Sequence, residues 1–166
     1  MSLARFQEAQ ADPHAGYDTA LTEIRRGRKT SHWVWYIFPQ LAGLGRSSTA
    51  RAYAIRDLAE ACAYLRDPLL RARYEEITAA VSDQLALGAT AASCVGGRGL
   101  ALEDLMGSRI DALKLVSSFT LFRAAAERLA TGNPASTQPL AAAIDCILKQ
   151  TAADGYPPCA RTVCRL

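Results

Sequence analysis

The sequence predicts an all-α fold: one compact domain spanning residues 1–166, with about seven helices and a buried aromatic segment. Three observations carry that reading. Apolar residues recur at helical spacing from Tyr17 to Leu148, helix-start signals precede several of these runs, and little in the chain reads as a strand. Half of the residues are apolar and 21% are charged, so a domain of this size can bury an ample core without a metal or disulfide staple.

The elements follow in order. Ser2 is placed to cap a short helix carrying Leu3, Phe6 and Ala9. After the break Asp12-Pro13-His14-Ala15-Gly16, the residues Tyr17, Ala20, Leu21 and Ile24 form one helical face, and that helix should end near Gly27. Residues 33–38, Trp-Val-Trp-Tyr-Ile-Phe, have strong strand propensity, and Pro39 closes the run. A lone strand would leave its backbone groups without partners, which favours a short buried helix or an irregular segment. Gly43, Gly45 and Ser47-Ser48 read as a loop, and residues 50–55 as one or two helical turns. Asp57 and Glu60 have capping-box spacing ahead of Leu58, Cys62 and Leu65. Asp67-Pro68 opens a helix whose inner face is Leu70, Tyr74, Ile77, Val81 and Leu85. The small, Gly-rich stretch 88–100 reads as a flexible loop. A helix over 109–130, a turn at 131–138, a helix over 139–149 and an irregular tail complete the chain.

Charge and composition narrow the function classes. A net charge of +3 is too small to argue for specific nucleic-acid binding. No stretch approaches the length of a membrane span, and no signal-peptide pattern begins the chain, so the cytoplasm is the expected location. The five cysteines are widely spaced and match no metal or disulfide framework, and the chain has two histidines; neither a metal site nor a cofactor is expected.

Two segments carry candidate chemistry. In the first, "GRKTSHWVWYIFPQ", Lys29 could hold an anion, and Ser31 and His32 could donate hydrogen bonds. Trp33 or Trp35 could stack on a base, and Gln40 could orient a ligand. The competing reading is plain core packing with a basic helix end in front of it. In the second, "DALKLVSSFTLF", Asp111, Lys114 and Ser118 share one helix face, flanked by Ser117. Asp111 and Lys114 are also spaced for an ordinary surface ion pair. Ser117, Ser118 and Thr120 are poor helix formers within an apolar run; they either bond back to the preceding turn or line a polar pocket. No dinucleotide turn, phosphate loop, zinc-protease or nucleophile-elbow motif occurs.

These two blocks, together with "RFQEAQ", "YDTALTEIRRGRK", "YAI" and "EACAYLRDPLL", resemble the bacterial domain-of-unknown-function 1810 family over nearly the whole chain. The resemblance implies a small, mainly helical domain and brings no activity, substrate or cofactor. The label calpastatin sometimes given to that family does not fit a chain without disordered repeats. Two departures stand out: the stretch 88–100 is longer than the family pattern implies, and Cys159 stands where an acidic residue is expected. The function expected is binding of a small phosphorylated or nucleotide-like ligand, with hydrolysis or transfer at His32 and Lys114. A fold-level analogy to helical ADP-ribose- and NAD-processing domains points the same way. The alternative is a non-catalytic module that meets a protein partner through its aromatic segment. The two readings differ on whether the His32 block and the Ser117-Ser118 block share one cleft.

Overall fold

The computed structural model describes residues 3–95, 101–131 and 134–166, without the side chains of 89–95 and 134–136. Ten helices occur among the described residues: α1 (Ala4–Gln10), α2 (Tyr17–Arg25), α3 (Val34–Ile37), α4 (Ser48–Ala52), α5 (Leu58–Arg66), α6 (Pro68–Val95), α7 (Leu102–Met106), α8 (Arg109–Ala130), α9 (Pro134–Ala153) and α10 (Ala160–Val163). The fold is all-α, and six of these helices have seven or more residues.

α8 is the axis. Ala112, Leu115, Val116, Phe119, Leu121, Phe122, Ala125 and Ala126 are all buried along it. The run from Leu115 to Phe122 is buried on every side, and the two ends of the helix carry exposed residues. α8 packs against α9 and α5 most extensively, while α2 packs on α6. Ser108 caps its N-terminus by accepting from the Asp111 N–H. Tyr64, Tyr74, Phe38, Phe119 and Phe122 meet largely edge to face at the centre.

The aromatic segment forms a four-residue helix, α3, as the backbone argument favours. Trp33 and Phe38 have no exposed surface, Ile37 is 2% exposed and Tyr36 8%. α2 ends as the sequence indicates, with Gly27 at φ 81° just beyond it.

Five local expectations need correction or qualification. α4 starts at Ser48 with Ser47 as its cap, earlier than expected, and Ile55 instead forms a parallel bridge with Leu41. Glu60 does not close a capping box on Asp57; its carboxylate accepts from the Arg56 N–H and from Arg5. α6 continues to Val95 where a loop was expected, and residues 96–100 lie outside the described residues. α9 begins at Pro134 and carries Pro139 inside it, so most of the expected turn is helix. The Ser2 cap lies outside the described residues, and α7 was not anticipated.

Candidate functional site

The segment between α2 and α3 is organised by one carboxylate. Glu23 accepts from the Thr30 N–H at 2.8 Å and hydroxyl at 2.7 Å, and from the Ser31 N–H at 3.0 Å and hydroxyl at 2.5 Å. The Trp33 indole N–H adds a fifth donor at 2.8 Å. Burial alone would push this carboxyl up, but the Ser31 and Thr30 donors outweigh it and hold it at about 2. Ser31 and Trp33 are therefore committed to the scaffold, and Trp33, fully buried, has no open face for a base.

That scaffold delivers Lys29 to α8. The Lys29 N–H donates to the Leu105 carbonyl at 2.7 Å, at the end of α7. Gly107 makes this approach feasible: its φ is +75°, and a Cβ there would sit 2.7 Å from the Lys29 carbonyl oxygen. The buried Lys29 ammonium then reaches Oδ2 of Asp111 at 2.7 Å, while Lys114 holds Oδ1 at 2.8 Å. Burial works to raise the Asp111 carboxyl; the two ammonium groups, Lys114 foremost, bring it below the usual range. Lys114 also lies 4.4 Å from the ring centre of Trp35, and Lys29 5.2 Å from that of Trp33. Two cations thus share one carboxylate, which leaves an excess positive charge beside the half-buried Trp35.

Lys114 is also one wall of a cleft of about 420 Å³. Gln40 reaches the cleft from the end of the aromatic segment, and Ser117 from α8; Cys159 and Arg161 come from the C-terminal turn. The apolar lining comprises Leu44, Ile110, Leu113, Val116 and Pro157. The C-terminal turn is held over the 41–46 loop by Arg165, which donates to the Ala42 carbonyl at 2.8 Å. The Cys159 N–H donates to the Thr120 hydroxyl at 3.0 Å, and Ser117 shares a 3.1 Å hydrogen bond with Thr162. Burial raises the Cys159 thiol, but the Thr162 hydroxyl and N–H and the Ser117 hydroxyl prevail and lower it.

The candidate residues therefore divide. Gln40 from the first block joins Lys114 and Ser117 from the second in one cleft. Lys29, Asp111 and Trp35 form the charged group behind Lys114. Ser118 faces the core, 3.0 Å from the Tyr74 hydroxyl, and Thr120 bonds back to the Val116 carbonyl. His32 is exposed, its carbonyl accepts from Tyr36, and it is not among the residues lining this cleft. Sequence reasoning missed Arg161 and the organising role of Glu23. Cys159 stood out only as a departure from the family pattern. Among the described residues, no group of three or more His, Cys, Asp and Glu side chains could hold a metal.

The DUF1810 family model, a protein of unknown function, matches residues 1–134. The chain belongs to this family. The DUF1810 match takes in the scaffold, Gln40, Lys114 and Ser117, and stops before the C-terminal turn that brings Cys159 and Arg161. The chain is also similar to a solved structure, the conserved hypothetical protein Rv1873 from Mycobacterium tuberculosis. The two share 36% identity over 99% of this chain and 95% of that one, with a TM-score of 0.71. No curated protein matches.

Proposed function

We propose that this DUF1810 protein binds a small phosphorylated, nucleotide-like ligand in the cleft beside Lys114. The observation that carries the reading is the convergence of Lys114, Arg161, Gln40 and Ser117 on one space of about 420 Å³. That volume is in the range of small-molecule sites, about 300–1,000 Å³. Two cations and the Gln40 amide suit a phosphate, which accepts charge-assisted hydrogen bonds, while Ser117, bonded to Thr162, forms part of the wall. Asp111 does not cancel this, because its single carboxylate is already shared by Lys29 and Lys114. Trp35, under the Lys114 ammonium, keeps that side chain in place. The reading is one of binding, and it gives His32 no part in the cleft. The interior position of Trp33, Tyr36, Ile37 and Phe38 weighs against the alternative of a partner docking on the aromatic segment. A cytoplasmic setting belongs to the same proposal and rests on cysteine spacings that suit reduced thiols.

Isothermal titration with AMP and with ADP-ribose tests the reading. Saturable binding by the wild type, weakened about tenfold or more in Lys114→Ala and in Arg161→Ala, is the expected result. Equal affinity in wild type and both variants, with unchanged far-UV spectra, would place any binding elsewhere.

A further inference from the structure

The cleft lining is of two kinds, apolar and cationic or polar, and α8 supplies part of each. Ile110, Leu113, Lys114 and Ser117 are spaced i, i+3, i+4 and i+7, which puts them on one stripe of that helix. All four line the cleft. The stripe starts apolar and turns polar. Its apolar end is uncovered: Ile110 is 68% and Leu113 48% exposed, while the other leucines, valine and phenylalanines described in residues 110–122 of α8 are buried. Leu44 and Pro157 add apolar lining from two other segments, and Arg161 is a second cation lining the same cleft. An exposed apolar stripe that runs into a pair of cations is complementary to a molecule with an apolar body and an anionic end.

Building on the anion-site reading above, we infer that the cleft selects phosphomonoesters whose body is compact, flat and apolar, and that Ile110 and Leu113 are the specificity-determining residues. The phosphate lies at Lys114 and Arg161, and the flat body covers Ile110, Leu113 and Leu44. A bare phosphate or a sugar phosphate leaves that apolar surface in water, so it gains only the charged half of the interaction. A nucleobase or an aryl ring gains both. The space of about 420 Å³ suits one such molecule and not a macromolecular segment.

The test compares 1-naphthyl phosphate, 1-naphthol, ribose 5-phosphate and inorganic phosphate by calorimetry against the full chain. Wild type, the Ile110→Ser/Leu113→Ser double variant and Lys114→Ala are each titrated. Alkylation of Cys159, followed by mass mapping of its peptide, reports whether a ligand occupies the cleft. Both apolar positions are exposed, so the double variant should keep the fold, and far-UV spectra check this. The inference expects 1-naphthyl phosphate to bind about tenfold or more tighter than ribose 5-phosphate and inorganic phosphate. The double variant should abolish that preference, Lys114→Ala should weaken all three phosphates, and bound 1-naphthyl phosphate should slow Cys159 alkylation. If all three phosphates bind alike and the double variant changes nothing, the inference falls while the anion site stands. If 1-naphthol binds as well as its phosphate, the inference falls because the cations contribute no selection. If none of the phosphates binds, the inference and the anion-site reading fall together.

Discussion

The Lys29 ammonium lies 2.7 Å from Oδ2 of Asp111, and both side chains are largely buried. This ion pair joins the loop after α2 to the first turn of α8, and the same carboxylate positions Lys114. Asp111→Asn keeps the shape and removes the charge. It leaves a buried ammonium without its counterion, which costs about 3–5 kcal/mol for a fully buried pair and somewhat less at this partly open site. A clear fall in thermal midpoint is expected, with loss of the fixed Lys114 position. A midpoint within a degree of wild type would show that the pair is incidental.

Gly107 makes a separate prediction. Its φ of +75° and the 2.7 Å approach of the Lys29 carbonyl to a notional Cβ leave no room for a side chain. Gly107→Ala should cost about 2 kcal/mol or more, from left-handed backbone and from displacement of the Lys29 segment. For a chain of this size that lowers the midpoint by about 4–8 °C. Differential scanning calorimetry measures it directly.

Glu23 sets an acid limit. Its carboxyl is held at about 2 in the folded chain, below the ordinary value of 4.5. The unfolded chain therefore binds the extra proton first, so the stability this group contributes is complete above about pH 5 and is lost as pH falls through 4.5 toward 2. Asp111, lowered by its two lysines, acts in the same direction. Glu23→Gln should destabilise the protein at pH 7 by about 2–4 kcal/mol, since five donors lose a charged acceptor. Denaturant midpoints from pH 6 to pH 2.5 should fall less steeply in the variant than in wild type. Parallel curves would contradict the role given to Glu23.

Ser118 separates the core from the cleft. Its hydroxyl is buried against the Tyr74 hydroxyl, and Ser118 is not among the residues lining the cleft. Ser118→Ala should cost about 1–3 kcal/mol by leaving the Tyr74 hydroxyl unpaired. It should leave ligand affinity unchanged where Lys114→Ala reduces it. An equal loss of affinity in both variants would place Ser118 in the site after all.

The helices with strong local signals are legible in the sequence. Asp67-Pro68 marked the start of α6, and the run from Arg109 marked α8, because a cap and a 3.6-residue period act over short sequence distances. For the aromatic segment, the argument about unpaired backbone favours a short helix or an irregular path over a strand, and Val34–Ile37 form a short helix despite their strand propensity. Small residues misled in two places. Residues 88–95 continue α6 and residues 134–138 open α9, where a loop and a turn were expected; the alanines in both stretches are strong helix formers, which the reading of small residues as loop undervalued. Of the residues lining the cleft, Lys114, Gln40 and Ser117 stand out in the sequence as polar groups in apolar surroundings. Arg161 does not, because it meets them only through a contact across more than forty residues of chain. His32 and Trp33 had the right chemistry, but only the fold could show that one points to solvent and the other is sealed by Glu23.

The most direct measurement of the central claim is a two-dimensional amide and side-chain NMR titration of the full chain with AMP. The account predicts saturable shifts clustered at Gln40, Lys114, Ser117 and Arg161, with the Trp35 indole signal moving and the Trp33 indole, held by Glu23, staying in place. Shifts confined to another face, or no shifts at millimolar ligand, would contradict it.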